Sequence, residues 1–204
     1  MDYLITDRSV VPPSFATEGC SEKQVYLPFT YQVNSHKSAT KAPPRGTSRE
    51  NLGLHMASVV LACMHRLHKL SPSLFDIVGN LLARLDHAIL WLLQEAPAAA
   101  ARLQRELYAR GVGGLEQRLA TSRFVGRREH WKRLGAADLF LDAFPHNAHS
   151  TATDALWAGL PLVTAAHEVF ASRVAGSLLQ ANGVTGASVA SHKEYEDLAI
   201  ALAA

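Results

Sequence analysis

Three short stretches of this chain carry side chains suited to holding a phosphate. The first reads Pro145-His146-Asn147-Ala148-His149-Ser150-Thr151, with Asp154 one helical turn further on. Two hydroxyl residues opening a helix put unpaired backbone N–H groups and the positive end of the helix dipole where an anion is favoured. The Asp154 carboxylate could accept hydrogen bonds from ribose hydroxyls. The plain alternative makes Ser150 and Thr151 helix caps and Asp154 an acid suited to the dipole. The second stretch is Met64-His65-Arg66-Leu67-His68-Lys69. Here Lys69 could neutralise a diphosphate, with Arg66 one turn before it if the loop coils; an exposed basic patch is the alternative. The third is Gly126-Arg127-Arg128-Glu129-His130. His130 could stack on a base or hydrogen-bond it, although a lone histidine is more often a satisfied surface or core residue.

Such loops need a rigid frame, and the hydrophobic pattern supplies one. Val59 to Ala62 form a short buried-strand run. Ser71-Pro72 gives an N-cap followed by proline at the first helical position, and Leu74, Ile77, Val78, Leu81, Leu82 and Leu85 follow at helical spacing. Ala88 to Leu93 is apolar on both faces, as in a central parallel strand. Further on, the pattern predicts a helix over 97–110, a weaker strand over 119–125, a short helix over 127–135 and a strand over 139–141. A helix from Ser150 stops at Gly159, a strand covers 162–164, a helix 170–181, a strand 187–190 and a last helix 192–203. Alternation of this kind means a doubly wound parallel α/β sheet. Ligands then bind beyond the carboxyl ends of the strands, where all three stretches fall. Trp91 and Trp157 lie in apolar runs and read as core, while Trp131 is ambiguous. The segment from Val25 to Val33 reads as extended, and the first residues alternate like a strand, so the chain is expected to begin inside a fold.

The division expected is 1–33 as the end of a preceding lobe or connector, 34–56 as a basic, Ser/Pro-rich exposed linker, and 57–204 as a Rossmann-like lobe. Lys37, Lys41, Arg45 and Arg49 in the linker read as solvated charges. The formal charge of +2 is too small to argue for nucleic acid or an anionic membrane. Cys20 and Cys63 fit no disulfide framework or metal spacing and read as reduced thiols of a cytoplasmic or nuclear protein. No apolar stretch approaches the roughly 20 residues of a membrane span, and the N-terminus does not read as a signal peptide. GxGxxG, GxxxxGK[ST] and GxSxG motifs are absent. His146 and His149 lack the companions a metal site needs. Composition and spacing thus reach a phosphate- or nucleotide-binding parallel α/β domain.

Longer segments go further. Met1 to Asp7, Ser21 to Pro28 and Leu67 to Pro72 resemble successive segments of eukaryotic O-GlcNAc transferases, glycosyltransferase family 41. The most specific match is His149-Ser150-Thr151-Ala152-Thr153-Asp154-Ala155-Leu156-Trp157-Ala158-Gly159-Leu160-Pro161-Leu162-Val163-Thr164; Ala171 to Ala175 and Glu194 to Asp197 close the series. The resemblance implies the C-terminal lobe of a two-lobed GT-B enzyme, which moves N-acetylglucosamine from UDP-GlcNAc to Ser or Thr of proteins with inversion. It implies no metal cofactor. By resemblance, Lys69 is the catalytic cation that neutralises the leaving diphosphate. Ser150 and Thr151 would bond the same phosphates, with His149 beside them, and Asp154 would hold the ribose. His130 would pack on uridine and Val125 would meet the uracil through its backbone. Arg127 replaces a family lysine near the ribose, Arg133 is a weaker carry-over, and Arg66 replaces a glutamine that contacts the donor. The family's N-terminal catalytic lobe and tetratricopeptide repeats have no counterpart in these residues, so an incomplete enzyme is expected. The alternatives are a SPINDLY-like protein O-fucosyltransferase using GDP-fucose, which Asp154 and Ala155-Leu156-Trp157 disfavour, a non-catalytic nucleotide-binding fragment, and an interaction protein acting through the basic linker.

Overall fold

Residues Ala88 to Leu93 are all buried, the mark of a strand covered on both faces, and the rest of the fold is arranged around them. The structure is a computed structural model that describes residues 2–16, 19–39, 47–94 and 97–204. The chain runs β1 (Tyr3–Asp7), β2 (Lys23–Leu27), α1 (His36–Ala39), β3 (Val59–Cys63), α2 (Pro72–Arg84), β4 (Ala88–Leu93), α3 (Pro97–Ala109), α4 (Leu115–Arg118), β5 (Leu119–Ser122), α5 (Arg127–Leu134), β6 (Leu139–Leu141), α6 (Ser150–Trp157), β7 (Leu162–Ala165), α7 (Val174–Ala181), β8 (Ser188–Val189) and α8 (His192–Ala203).

Strands β3 to β8 make one parallel sheet in the order β5-β4-β3-β6-β7-β8. The winding moves outward from β3 to β5, then restarts at β6 and moves the other way. The reversal lies between β3 and β6, which makes the crevice above them the natural ligand position. Alternate side chains feed two cores. Leu61, Leu90 and Leu141 pack with α2 and α8 residues such as Leu74 and Tyr195. Ala62, Trp91 and Phe140 pack with Leu134, Ala152 and Leu178 from α5, α6 and α7. The expected doubly wound α/β sheet is therefore present.

Local chemistry sets the helix ends. Ser71 Oγ accepts from Leu74 N at 3.2 Å and Pro72 opens α2. At its other end, Arg118 donates to the carbonyls of Leu82, Leu85 and Ala88. Gly159, at φ +75°, turns the chain out of α6 while Leu160 N bonds Ala155 O at 3.0 Å. Ser191 and Glu194 form a capping box on α8.

Three boundaries differ by three residues or more from those expected. β2 ends at Leu27, because its register with β1 ends at Asp7↔Leu27 and Pro28 has no N–H to continue a ladder. β5 ends at Ser122, where β4 stops pairing with it. The helix expected over 170–181 is a 3₁₀ turn at Phe170–Ser172 followed by α7. Ser172 Oγ holds that turn by accepting from His167 N and donating to Val169 O.

The described residues of the stretch 34–56, expected to be exposed, are packed at several points. His36 and Leu54 are buried at 4% and 2% exposure. Arg49, expected to be a solvated charge, donates to the carbonyls of Ala136, Met56 and Ser58 and forms a two-pronged pair with Asp138 at 2.7 Å. The planar guanidinium has enough fixed donors to serve all of these at once. Lys37 is exposed, and Lys41 and Arg45 lie outside the described residues. The β1–β2 pair is tied to α7 through the buried Asp7, which accepts from Ser9 N, Val10 N, Tyr31 N and Ser177 Oγ. Arg49→Ala is expected to cost about 2 kcal/mol, a fall of roughly 4–8 °C in Tm for a chain of this size. Arg49→Lys should restore less than half of that, because an ammonium cannot fork. Unchanged melting of Arg49→Ala would contradict this reading.

Candidate functional site

Three loops leave the carboxyl ends of β3, β5 and β6, and a cavity of about 310 Å³ opens among them. It is lined by Arg66, Lys69, Val125, Arg127, His130, Arg133, Thr151 and Asp154, all singled out from the sequence, together with Met64, His65, Leu93 and Phe124. Among the described residues four cationic side chains and one carboxylate line it, a balance suited to an anion of more than one charge. Ser150 and His149 are not in this lining. Ser150 is exposed and borders a second cavity. His149 stacks on His146, ring centroids 5.2 Å apart, and its Nε2 lies 3.4 Å from Ala171 O.

Lys69 ends a 3₁₀ turn, Leu67–Lys69, placed just before the Ser71 cap of α2. Its Nζ donates to Asn147 O at 3.3 Å, which joins the β3 loop to the β6 loop. Partial burial lowers the Lys69 pKa, and the nearby Asp142 charge opposes that shift. The Arg66 guanidinium lies over the Phe124 ring, 4.5 Å from its centroid. Arg133 is buried at 4% exposure; it donates to Arg123 O at 2.6 Å and through Nε to His130 Nδ1 at 3.1 Å. Since Nδ1 accepts, the His130 proton sits on Nε2. Burial and the Arg133 charge lower the His130 pKa to about 4, so a neutral ring faces the cavity.

Helix α6 begins without a side-chain cap. His149 takes the N-cap position at φ −107°, ψ −88° and makes no cap bond. The capping alternative for Ser150 and Thr151 therefore does not hold, and the helix opens with N–H groups that no side chain caps. Asp154, one turn along, accepts at Oδ1 from Trp131 Nε1 and from His36 Nε2, both at 2.6 Å.

Sequence reasoning missed three residues here. Asp142, fully buried, accepts from Ala143 N, Ala148 N and Thr164 Oγ1 at 2.8, 2.6 and 2.6 Å. His65, with Nε2 at 3.1 Å from Leu141 O and 3.6 Å from Asp142 Oδ1, packs beside it. Burial raises Asp142 to about 7, against the pull of its hydrogen bonds and of Lys69, and lowers His65 to about 4. The available signal was an acid directly after the apolar strand run Leu139–Leu141. His36 is the third, and nothing in its polar surroundings marked it. Among the described residues no group of three His, Cys, Asp or Glu converges to hold a metal ion, and no helix is long and apolar enough to cross a membrane.

Comparison with known proteins bears on this geometry. The family model of glycosyl transferase family 41 matches residues 41–204. The chain belongs to that family. Among family 41 relatives, the probable UDP-N-acetylglucosamine–peptide N-acetylglucosaminyltransferase SEC of Arabidopsis thaliana is 37% identical over the whole chain, which covers 21% of it. The Caenorhabditis elegans UDP-N-acetylglucosamine–peptide N-acetylglucosaminyltransferase is 33% identical over 82% of the chain, covering 15% of that protein. A point mutant of the Thermobaculum terrenum O-GlcNAc transferase superimposes on the entire chain with a TM-score of 0.81 at 28% identity, the chain covering 37% of it. The chain has the fold of part of a GT-B glycosyltransferase and spans about a fifth of the length of its plant relative.

The burial of His130 beside Arg133 gives this family 41 chain a defined pH response. An unfolded histidine titrates near 6.5 and the folded one at about 4. Between those values only the unfolded chain takes this proton, so the His130 contribution to stability falls as pH drops from about 6.5 towards 4. His65 acts in the same direction and Asp142, raised to about 7, against it. His130→Gln should make stability fall less over that range than in the unaltered chain, and a nitrogen NMR titration should place the His130 midpoint near 4. A midpoint of 6 or above would contradict the assignment.

Proposed function

We propose that the crevice binds the UDP-GlcNAc donor of a protein O-GlcNAc transferase, and that this chain supplies the donor half of that enzyme's site. The observation that carries the reading is the convergence of Lys69, Arg66, Arg127 and Arg133 with the uncapped start of α6 at the sheet's switch point. Lys69, the first N–H groups of α6 and the Thr151 hydroxyl face the diphosphate; Ser150, whose side chain borders the neighbouring cavity, contributes its backbone N–H, with His149 beside it. Arg66 and Arg127 add positive charge. Asp154 accepts from the ribose. The neutral His130 ring, steadied by Arg133, lies against the uracil, which also meets the Val125 backbone.

In the transfer, the acceptor Ser or Thr oxygen bonds to the anomeric carbon while the bond from that carbon to the UDP β-phosphate oxygen breaks. Negative charge grows on the departing diphosphate. A fixed ammonium at Lys69 and aligned amides at α6 stabilise that charge more in the transition state than in the ground state. The base that takes the acceptor proton and the surface that holds the protein substrate belong to the N-terminal catalytic lobe and tetratricopeptide repeats expected in the whole protein. Residues 1–33 are then the connector to that lobe, 34–56 the linking stretch and 57–204 the donor lobe. Two unpaired cysteines fit a cytoplasmic or nuclear setting.

UDP should raise the melting temperature of the chain and GDP should not. Lys69→Ala should weaken UDP binding about ten- to a hundredfold, the worth of a charge-assisted phosphate contact, with the melting temperature of the unliganded protein little changed. Equal stabilisation by GDP and UDP, or full UDP affinity in Lys69→Ala, would overturn the reading.

A further inference from the structure

His36 sits outside the sheet lobe in sequence, yet it reaches Asp154, which lines the crevice. Asn34 Oδ1 accepts from His36 N at 3.1 Å and starts the short helix α1, which turns the imidazole inward. The ring is buried between two indoles, its centroid 4.8 Å from Trp131 and 5.5 Å from Trp157. Its Nε2 lies 2.6 Å from Asp154 Oδ1, and its buried Nδ1 has no hydrogen-bond partner. Among the described residues the ring's polar contact is with Asp154.

Trp131 Nε1 donates to the same Oδ1 from α5. Two donors from two different elements meet one oxygen, and neither uses Oδ2. A carboxylate gripped in this way loses its rotational freedom and presents its second oxygen in a fixed direction. Asp154 also borders a second cavity of about 430 Å³, lined in part by residues 32–36; Asp154 lines both cavities, whereas His36 lines only the second.

We propose that His36 is a positioning residue that sets discrimination for ribose over deoxyribose, by holding the Asp154 carboxylate with Oδ2 towards the ligand. This rests on Asp154 being the ribose contact of a uridine diphosphate site. A preset acceptor gains from a ribose hydroxyl without being ordered first. A carboxylate released from His36 can turn, and the hydroxyl contact then costs its ordering.

The test is calorimetric titration of the full chain with UDP, 2′-deoxy-UDP and 3′-deoxy-UDP. The unaltered protein should bind UDP about tenfold or more tighter than at least one deoxy analogue, a hydrogen bond to a charged group being worth that much. His36→Leu should weaken UDP about tenfold and leave that analogue within about twofold, so the ratio collapses. His36→Gln, whose amide nitrogen can take the place of Nε2, should keep the ratio. If His36→Leu does not fold, His36→Asn, whose shorter amide falls short of Asp154, should show the same collapse. Equal weakening of UDP and both analogues in the Leu or Asn variant would make His36 a purely structural residue and overturn the proposal, as would an unchanged ratio. Asp154→Ala separates the two levels: if it too leaves the ratio unchanged, the ribose assignment itself fails, whereas a collapse in Asp154→Ala with none in His36→Leu refutes only the positioning role.

Discussion

The buried carboxylate of Asp142 is the constraint on which the crevice depends. Strand β6 is only three residues long, and the loop that follows it carries buried backbone at Ala143, Asn147 and Ala148. Buried N–H groups need partners, and a loop has no ladder to provide them. Asp142 supplies them for Ala143 and Ala148, while its second oxygen takes the Thr164 hydroxyl from β7 and its carbonyl takes the Tyr195 hydroxyl from α8. The loop so fixed offers Asn147 O to Lys69 and delivers the chain to the start of α6. One side chain thereby sets the relation between the cation and the helix end.

The electrostatic arrangement follows from the same geometry. The crevice concentrates Arg66, Lys69, Arg127 and Arg133 around Asp154, at some cost to the folded state from repulsion and partial burial. Several of these groups have uncharged partners: Lys69 and Arg133 donate to carbonyls, and Arg66 and Arg127 lie over aromatic rings. Lys69 and Arg133 thus keep positive charge that a carbonyl partner does not neutralise. Burial keeps His130 neutral, so a flat, uncharged surface adjoins the cationic one. A crevice that is cationic at one side and neutral and planar at another matches a nucleoside diphosphate better than an inorganic anion.

Much of this arrangement is legible in the order of the residues. Strands β3, β4 and β7 and helices α2 and α6 announce themselves through apolar runs, the Ser71-Pro72 cap and Gly159, because those signals are local. Loops at the carboxyl ends of parallel strands must be neighbours, which is why Lys69, His130, Thr151 and Asp154, far apart in sequence, can be placed together. What stays hidden depends on tertiary contacts. Asp142 follows an apolar strand and carries no periodicity of its own. His36 and Arg49 lie in a polar stretch whose composition suits an exposed linker, yet Asp154 and Asp138 draw them inward. Ser150, a good phosphate residue by type, projects away from the main cavity because of a helix phase that spacing alone does not fix.

The most direct measurement is a crystal structure of the chain soaked with UDP. The diphosphate should lie within hydrogen-bond distance of Lys69 Nζ and of the first backbone N–H groups of α6, with the uracil against His130. A nucleotide bound elsewhere, or one whose phosphates point away from both Lys69 and α6, would contradict the convergence described here.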